Sequence, residues 1–531
     1  MVCNFKRLLP SVHKSVAGYV STVTLRQRAF LALFCCVLLT ATEPGPATRR
    51  WWSYTQVLAS DKMQGRDTGS AGYAAASAYV MEQFGKAGLS PAGTDGFRQP
   101  VPMRSLKLNP AASSIQLVRD SGTTPLTWYR QVTVAVRPGL PQQLRAPLYF
   151  VGDSATLDAG KARGAVIVTL GVARIRTAGS PAPMKIPEGA AATLSIDSLA
   201  GPEPPIWPLP YAAAVSLAEA PPAAPAPSAP IAFRMNPEEA EVLFTGSGFT
   251  YSALKHLHDA SQTLPNFSLP AELQATLKLD RKNLVSDNIL GALPGSDPAL
   301  RNEFVVLSAH LDGYGLGQPR HGDGIYNGAF DDAAYVALLM DLAQSLHESG
   351  AKLKRSLLFC IVTGEEKGLL GSRYFAAHPT VPKQQLVANL NLDQLRPIFP
   401  LKTLTALALD QSTLGQTVQD VAGPFGIRIQ PDPEPERNLL RRSDHFSFMQ
   451  IGVPAINFVF GYEKGSPEEK TYRTWYAERY HSPADDLEQP WDPDAAMKFN
   501  RFYAALATAV ANEPHRPQWS PGSPFAEATF R

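Results

Sequence analysis

Ser308-Ala309-His310-Leu311-Asp312, Gly328-Ala329-Phe330-Asp331-Asp332 and Thr363-Gly364-Glu365-Glu366-Lys367-Gly368 are three short clusters of acids and one histidine. A lone Asp393 follows them, after the apolar run Leu386 to Leu392. The segments around these clusters decide the fold. Phe304-Val305-Val306-Leu307-Ser308 reads as a buried strand, and Asp332 to His347 as an amphipathic helix with Tyr335, Leu338, Leu339, Leu342 and Leu346 on one face. Ser356 to Val362 reads as a strand, Glu365 to His378 as largely helical, and Leu386 to Leu392 as another strand. Asn457 to Phe460 closes a late strand. This alternation predicts an α/β fold: a mostly parallel mixed central sheet with helices on both faces. The clusters then fall at the carboxyl ends of successive strands, where open α/β sheets bind their ligands.

Mixed histidine and carboxylate donors suit zinc or a similar first-row metal better than magnesium or calcium. Two metals about 3.5–4 Å apart need a shared ligand, and a carboxylate can bridge them. A further carboxylate beside a metal-activated water can take its proton. The adjacent Glu365 and Glu366 are suited to divide these roles, one as base and one as ligand. A helix N-terminus also favours acids, which would explain the Glu pair but not the other donors.

These residues resemble the co-catalytic di-zinc exopeptidases of peptidase family M28, the aminopeptidase Y and S type. Ala59-Ser60-Asp61-Lys62-Met63-Gln64-Gly65-Arg66, with Thr68-Gly69-Ser70, is similar to the family's opening segment. The resemblance covers residues 50–135 and 247–512 and implies the phosphorylase/hydrolase-like zinc exopeptidase fold with two Zn2+ ions per chain. It implies His310 and Asp393 on one zinc, Glu366 on the other, Asp331 as the bridge and Glu365 as the general base. Asp312 would orient His310, and Asp332 would open the following helix. The fifth ligand should be a late histidine. His481, in Tyr480-His481-Ser482-Pro483-Ala484-Asp485, resembles the family's last ligand motif; His445, in Ser443-Asp444-His445-Phe446, is the other candidate. With His481 chosen, Asp444 and His445 line or support the pocket, and Tyr480 takes the position that steadies an oxyanion in some members. Phe330 and Ala334-Tyr335 depart from the family pattern, which has Asn or Asp and Ser-Gly there. His321, His347 and His378 have no place in it and read as surface residues.

The rest of the chain bounds the picture. At 531 residues, two or three structural units are expected. Lys plus Arg is 49 against 47 Asp plus Glu, a balance without the electrostatic footprint of a nucleic-acid binder. Residues 1–42 read as an export signal or N-terminal anchor: a long basic stretch, then the apolar run Ala29 to Ala41, too short for a comfortable span. No other segment reads as crossing a membrane. Three of the four cysteines lie in that segment, and Cys360 sits in an apolar strand as a small core residue. Residues 50–135 and 247–512 are assigned to the catalytic domain, 136–246 to a small inserted β-rich domain and 513–531 to a tail. The insert resembles a protease-associated domain, mainly by its position. It holds no cluster of His, Cys or acids, and its Pro221 to Pro230 stretch is nearly pure Pro, Ala and Ser.

The expectation is an exported, periplasmic or secreted, zinc-dependent aminopeptidase acting on peptides. Arg437, Arg441 and Arg442 leave a carboxypeptidase or dipeptidase open, since guanidinium forks bind terminal carboxylates; an exposed basic loop is the plainer explanation. A single-zinc glutaminyl cyclase and an inactive peptidase-like binding protein are the remaining rivals.

Overall fold

The computed structural model describes residues 46–171, 186–220, 229–393 and 395–526. The expected export segment lies outside them. Among the described residues no helix is long and apolar enough to cross a membrane.

The larger sheet is mixed. In chain order its strands are β1 (Arg98–Leu108), β2 (Ala213–Leu217), β3 (Leu279–Leu293), β4 (Phe304–His310), β5 (Ser356–Val362), β6 (Leu386–Asn391), β7 (Thr403–Leu407), β8 (Arg428–Gln430) and β9 (Ala455–Gly461). Their spatial order is β8-β7-β9-β6-β4-β5-β3-β1-β2, and Ser90–Pro91 pairs with β3 as a tenth strand. The centre, β9-β6-β4-β5, is parallel. The wing β3-β1-β2 and the contact of β7 with β9 are antiparallel.

The central strands are apolar without alternation because both of their faces are covered. Every residue of β5, β6 and β9 is buried. Val305 and Leu307 of β4 and Leu357, Phe359 and Ile361 of β5 join one core, with α1 (Pro46–Leu58), α2 (Ala71–Lys86), α3 (Ala334–Ser349) and, late in the chain, Pro493–Asn512. Val306, Leu358, Cys360 and Val362 point the other way, to Phe375 of α4 (Leu370–Ala377) and Phe448 and Met449 of α5 (His445–Gln450). The helices Pro467–Glu478 and Pro493–Asn512 are α6 and α7.

Two local expectations are corrected. Helix α3 is not amphipathic in its first turns: Ala334 through Ala343 are all buried. Trp51 of α1 packs close enough to donate its indole N–H to the Ala334 carbonyl at 2.7 Å, so α3 is covered on its outer side as well. Residues 365–369 are a turn, and α4 begins only at Leu370. Gly364, Gly368 and Leu369 all have positive φ, which a helix cannot absorb.

A second, eight-stranded sheet has its own core, with Leu117, Phe150, Val166, Leu194, Phe233 and Leu273. Its strands run from Ser114–Arg119 to Phe267–Thr276, so the sheet extends beyond 136–246 on both sides. Phe267–Thr276 explains this: it pairs with both Ser114–Arg119 and Gln143–Phe150. The loop leaving Ala192–Ile196 returns to the larger sheet as β2.

Candidate metal centre

β4 ends on His310, β5 leads into the turn carrying Glu365 and Glu366, and β6 leads to Asp393. The chain passes from β4 to a neighbour on one side, β5, and then to β6 on the other. This reversal opens a crevice at the carboxyl ends of the strands. Asp331 enters from the turn Ala329–Ala333 that precedes α3, and its peptide bond to Asp332 is cis. Gly328 begins that turn at φ +58, where a Cβ would lie 2.3 Å from the Asp331 carbonyl oxygen.

The opening motif has a structural use. Arg66 is fully buried, and its guanidinium donates to the carbonyls of Leu311 (2.8 Å), Asn327 (2.6 Å), Gly328 (2.9 Å) and Leu58 (2.7 Å). It thus ties together the loops that follow His310 and precede Asp331. Asp485 holds the same turn from another side: its Oδ1 accepts from the Phe330 N–H and its carbonyl from the Ala329 N–H, both at 3.0 Å.

Two donor groups meet at Asp331. His310 Nε2 lies 3.3 Å from Asp331 Oδ1 and 4.0 Å from Asp393 Oδ1. His481 Nε2 lies 3.5 Å from Asp331 Oδ2 and 3.3 Å from Glu366 Oε2. Each group has donors mutually close enough for one cation. His310 Nε2 and both Asp393 oxygens are buried without a hydrogen bond, and so is Asp331 Oδ2, which faces Arg396 Nη2 at 3.2 Å and His481 Nε2 at 3.5 Å. Leaving such atoms unsatisfied is costly, and a cation would satisfy them. The donor chemistry, imidazole with carboxylate, fits zinc.

The rings are aimed by their second nitrogens. His310 Nδ1 lies 3.0 Å from the main-chain carbonyl of Asp312, and the Asp312 carboxylate is 3.9 Å away. That carboxylate accepts instead from the Thr68 hydroxyl (3.1 Å) and the Glu365 N–H (3.0 Å). Asp312 therefore meets His310 through its backbone, and its side chain holds the Glu365 turn. His481 Nδ1 lies 3.0 Å from the Tyr314 hydroxyl, and the Tyr480 ring stacks on the imidazole at 3.6 Å. His481 sits at φ +55, an uncommon left-handed conformation for a non-glycine residue.

The electrostatics divide the acids. Burial pushes Asp331 up, but Arg396, His310 and His481 outweigh it and hold its carboxyl well below the usual range. Burial, with Asp393, Glu366 and Asp444 adding to it against His310, holds Glu365 well above the usual range. Burial raises Glu366 to about 7 despite His481. Asp332 is also pushed up by burial; its Oδ2 accepts the His310 backbone N–H at 3.2 Å. Asp444 is raised to about 7, chiefly by burial, and His445 is lowered to about 3 by burial. His445 joins neither donor group. His321, His347 and His378 are exposed, as expected, and Cys360 is fully buried.

The sequence reading gives no role to three residues near the centre. Arg396 lies against Asp331, Tyr314 against His481, and Lys367 pairs with Asp67 at 3.1 Å and donates to the Tyr211 hydroxyl at 2.7 Å. The exposed basic loop is also corrected. Arg437 is 3% exposed and Arg442 half-buried, and both are paired with Glu203; Arg441 is exposed. The partner lies more than two hundred residues earlier, beyond the reach of local pattern.

Comparison with known proteins agrees with this architecture. Residues 288–507 match the model of Peptidase family M28. Leupeptin-inactivating enzyme 1 of Streptomyces exfoliatus is 24% identical over 237 residues, 43% of this chain and 50% of that protein. Probable glutamate carboxypeptidase VP8 of Zea mays is 26% identical over 274 residues, 47% of this chain and 34% of that protein. The chain thus spans half or less of the length of these relatives. The solved structure of BSAP, a zinc aminopeptidase from Bacillus subtilis, shares the fold with a TM-score of 0.54 at 17% identity, over 89% of this chain and 96% of that one. The similarity to peptidase family M28 is carried by residues 288–507, the segment that holds all five residues of the two donor groups.

Proposed function

We propose that this chain is an exported, zinc-dependent aminopeptidase that removes N-terminal residues from peptides. The observation that carries the proposal is the pair of His/carboxylate donor groups meeting at Asp331, with buried donor atoms that make no hydrogen bond. His310, Asp331 and Asp393 would hold one zinc; Asp331, Glu366 and His481 would hold the other. When bound, the zincs polarise the scissile carbonyl and acidify the attacking water. Glu365 takes that water's proton and returns it to the leaving amine, a transfer suited to a carboxyl held above its usual range. Burial keeps the Tyr480 hydroxyl protonated, so it can donate to the carbonyl oxygen as charge develops there. Asp312 fixes the main chain of Glu365, and Tyr314 fixes the ring of His481. The basic and apolar residues before Glu43 support export.

A carboxypeptidase would need a cation for the terminal carboxylate; Arg437 and Arg442 are already engaged by Glu203, and the exposed Arg441 lies over the Phe446 ring at 5.2 Å. The test is a peptide panel with free, N-acetylated and C-amidated termini, run with and without chelator, together with zinc counting. Cleavage that is lost on N-acetylation, kept on C-amidation and dependent on two zincs per chain is expected. Cleavage that survives N-acetylation but not C-amidation would transfer the protein to the carboxypeptidases, and one zinc per chain would favour a cyclase.

A further inference from the structure

The loop that leaves the second sheet after Ala192–Ile196 buries one carboxylate among residues from the far end of the chain. Glu203 is 6% exposed. Its Oε1 accepts from Arg437 Nε at 3.1 Å and Nη2 at 2.7 Å, and its Oε2 accepts from Arg442 Nη1 at 2.8 Å. The other terminal nitrogen of Arg442, Nη2, reaches the Tyr480 hydroxyl at 3.5 Å. Tyr480 is the residue stacked on His481. Beyond Glu203 the same loop supplies Pro204, Ile206 and Tyr211 to a cavity of about 410 Å³ that Tyr314, Tyr480 and His481 also line. The loop therefore reaches the centre both by charge and by shape.

We propose that Glu203 is a positioning residue for Tyr480, acting through Arg442, so that the loop of the second sheet is a working part of the active site. The proposal rests on the aminopeptidase function above.

The chemistry has a direction. A guanidinium N–H donated to a phenol oxygen leaves the phenol hydrogen free for another acceptor. It also polarises the O–H bond and strengthens that second hydrogen bond. Arg442 cannot hold this pose alone, because its side chain is 32% exposed and free to swing toward water. Arg437 lies beside it, stacked on Tyr472 and Tyr476 with its cation 5.4 and 5.1 Å from the ring centres. Without the carboxylate between them the two guanidiniums repel, and the more exposed one moves. Glu203 stays ionised: burial would raise its carboxyl, but Arg442 and Arg437 hold it below the usual range.

The experiment is a double-mutant cycle of Glu203→Gln and Tyr480→Phe in the zinc-loaded full chain, with kcat and KM measured on an aminoacyl substrate. Glu203→Gln is expected to lower kcat by about tenfold and to change KM by less than about twofold, with zinc content unchanged. In the Tyr480→Phe background the same change should cost less than about twofold, because the group it positions is gone. Glu203→Asp should recover part of the kcat loss. Losses that multiply, or a Glu203→Gln effect confined to KM, overturn the proposal. If Glu203→Gln fails to fold by circular dichroism, Arg442→Lys takes its place: it keeps the charge pair but cannot bridge to the phenol, and the same non-additivity is required. A wild-type protein without zinc-dependent hydrolysis overturns the aminopeptidase function and this proposal with it. An active wild type with multiplying losses overturns only the role of Glu203.

Discussion

Arg396 Nη2 lies 3.2 Å from Asp331 Oδ2, with the arginine side chain fully buried and the aspartate 5% exposed. The guanidinium also donates to the carbonyls of Phe330 at 2.7 Å and Leu395 at 2.8 Å, and it stacks on Trp475 at 4.4 Å. The same Asp331 oxygen faces His481. Without metal, Arg396 is thus the counter-charge of the carboxylate on which both donor groups converge.

Arg396→Met should therefore destabilise the chelated protein strongly, since removing one partner of a buried pair costs about 3–5 kcal/mol. Zinc supplies positive charge to the same carboxylate, so it should restore more stability to the variant than to the wild type. Urea unfolding midpoints with chelator and with zinc measure this. An equal loss in both conditions would show that Arg396 matters for packing alone.

Tyr314→Phe removes the hydroxyl 3.0 Å from His481 Nδ1 and leaves His310 untouched. Loss of such an outer partner weakens metal binding by about 10–100-fold. Titration calorimetry should show one of two zinc affinities falling and the other unchanged. Equal weakening of both would mean that Tyr314 supports the pocket as a whole.

Glu365→Gln separates the two adjacent glutamates. The Glu365 carboxylate belongs to neither donor group, whereas Glu366 belongs to one. The variant should bind zinc as the wild type does and lose hydrolysis by about 10²–10⁴-fold, the usual worth of a general base. Glu366→Gln should instead lower zinc content. Loss of zinc in Glu365→Gln would reverse the assignment.

What could be read from the chain follows from distance along it. The apolar runs of β4, β5 and β6 are local, and so are the acids at their ends, so the sheet centre and most donors were legible. Helix α3 was misread because the wrapping by α1 that buries its outer side is a tertiary fact. The 365–369 turn was misread because its acids resemble a helix start, while glycines on either side set a different backbone path. The second sheet was bounded too narrowly because Phe267–Thr276 pairs with strands more than a hundred residues earlier. Tyr314 and Arg396 lie within three residues of Asp312 and Asp393, and Glu203 lies far from any cluster, but all three acquire their partners only when the chain is folded.

The centre also predicts opposite pH responses for the metal-free and zinc-loaded forms. Burial holds Glu366 at about 7, Asp444 at about 7 and Asp485 at about 6, against ordinary values of 4.5, 3.8 and 3.8. Between the ordinary values and these, the folded chain binds more protons than the unfolded one. Their contribution to stability is therefore full below that window and is lost as pH rises through it. Asp331, held below 3.8, and His445, lowered from 6.5 to about 3, act in the opposite sense, but their windows lie almost wholly below pH 6.5, so the raised carboxyls, joined by Glu365 and Asp332, set the sign above it. The chelated protein should thus unfold at lower urea at about pH 8 than at about pH 6. Zinc requires ionised carboxylates, so its affinity, and the stability it adds, should rise over the same interval. Urea midpoints at the two pH values, with chelator and with zinc, should move in opposite directions. A chelated midpoint that rises with pH would mean that these carboxyls are already ionised in the metal-free fold.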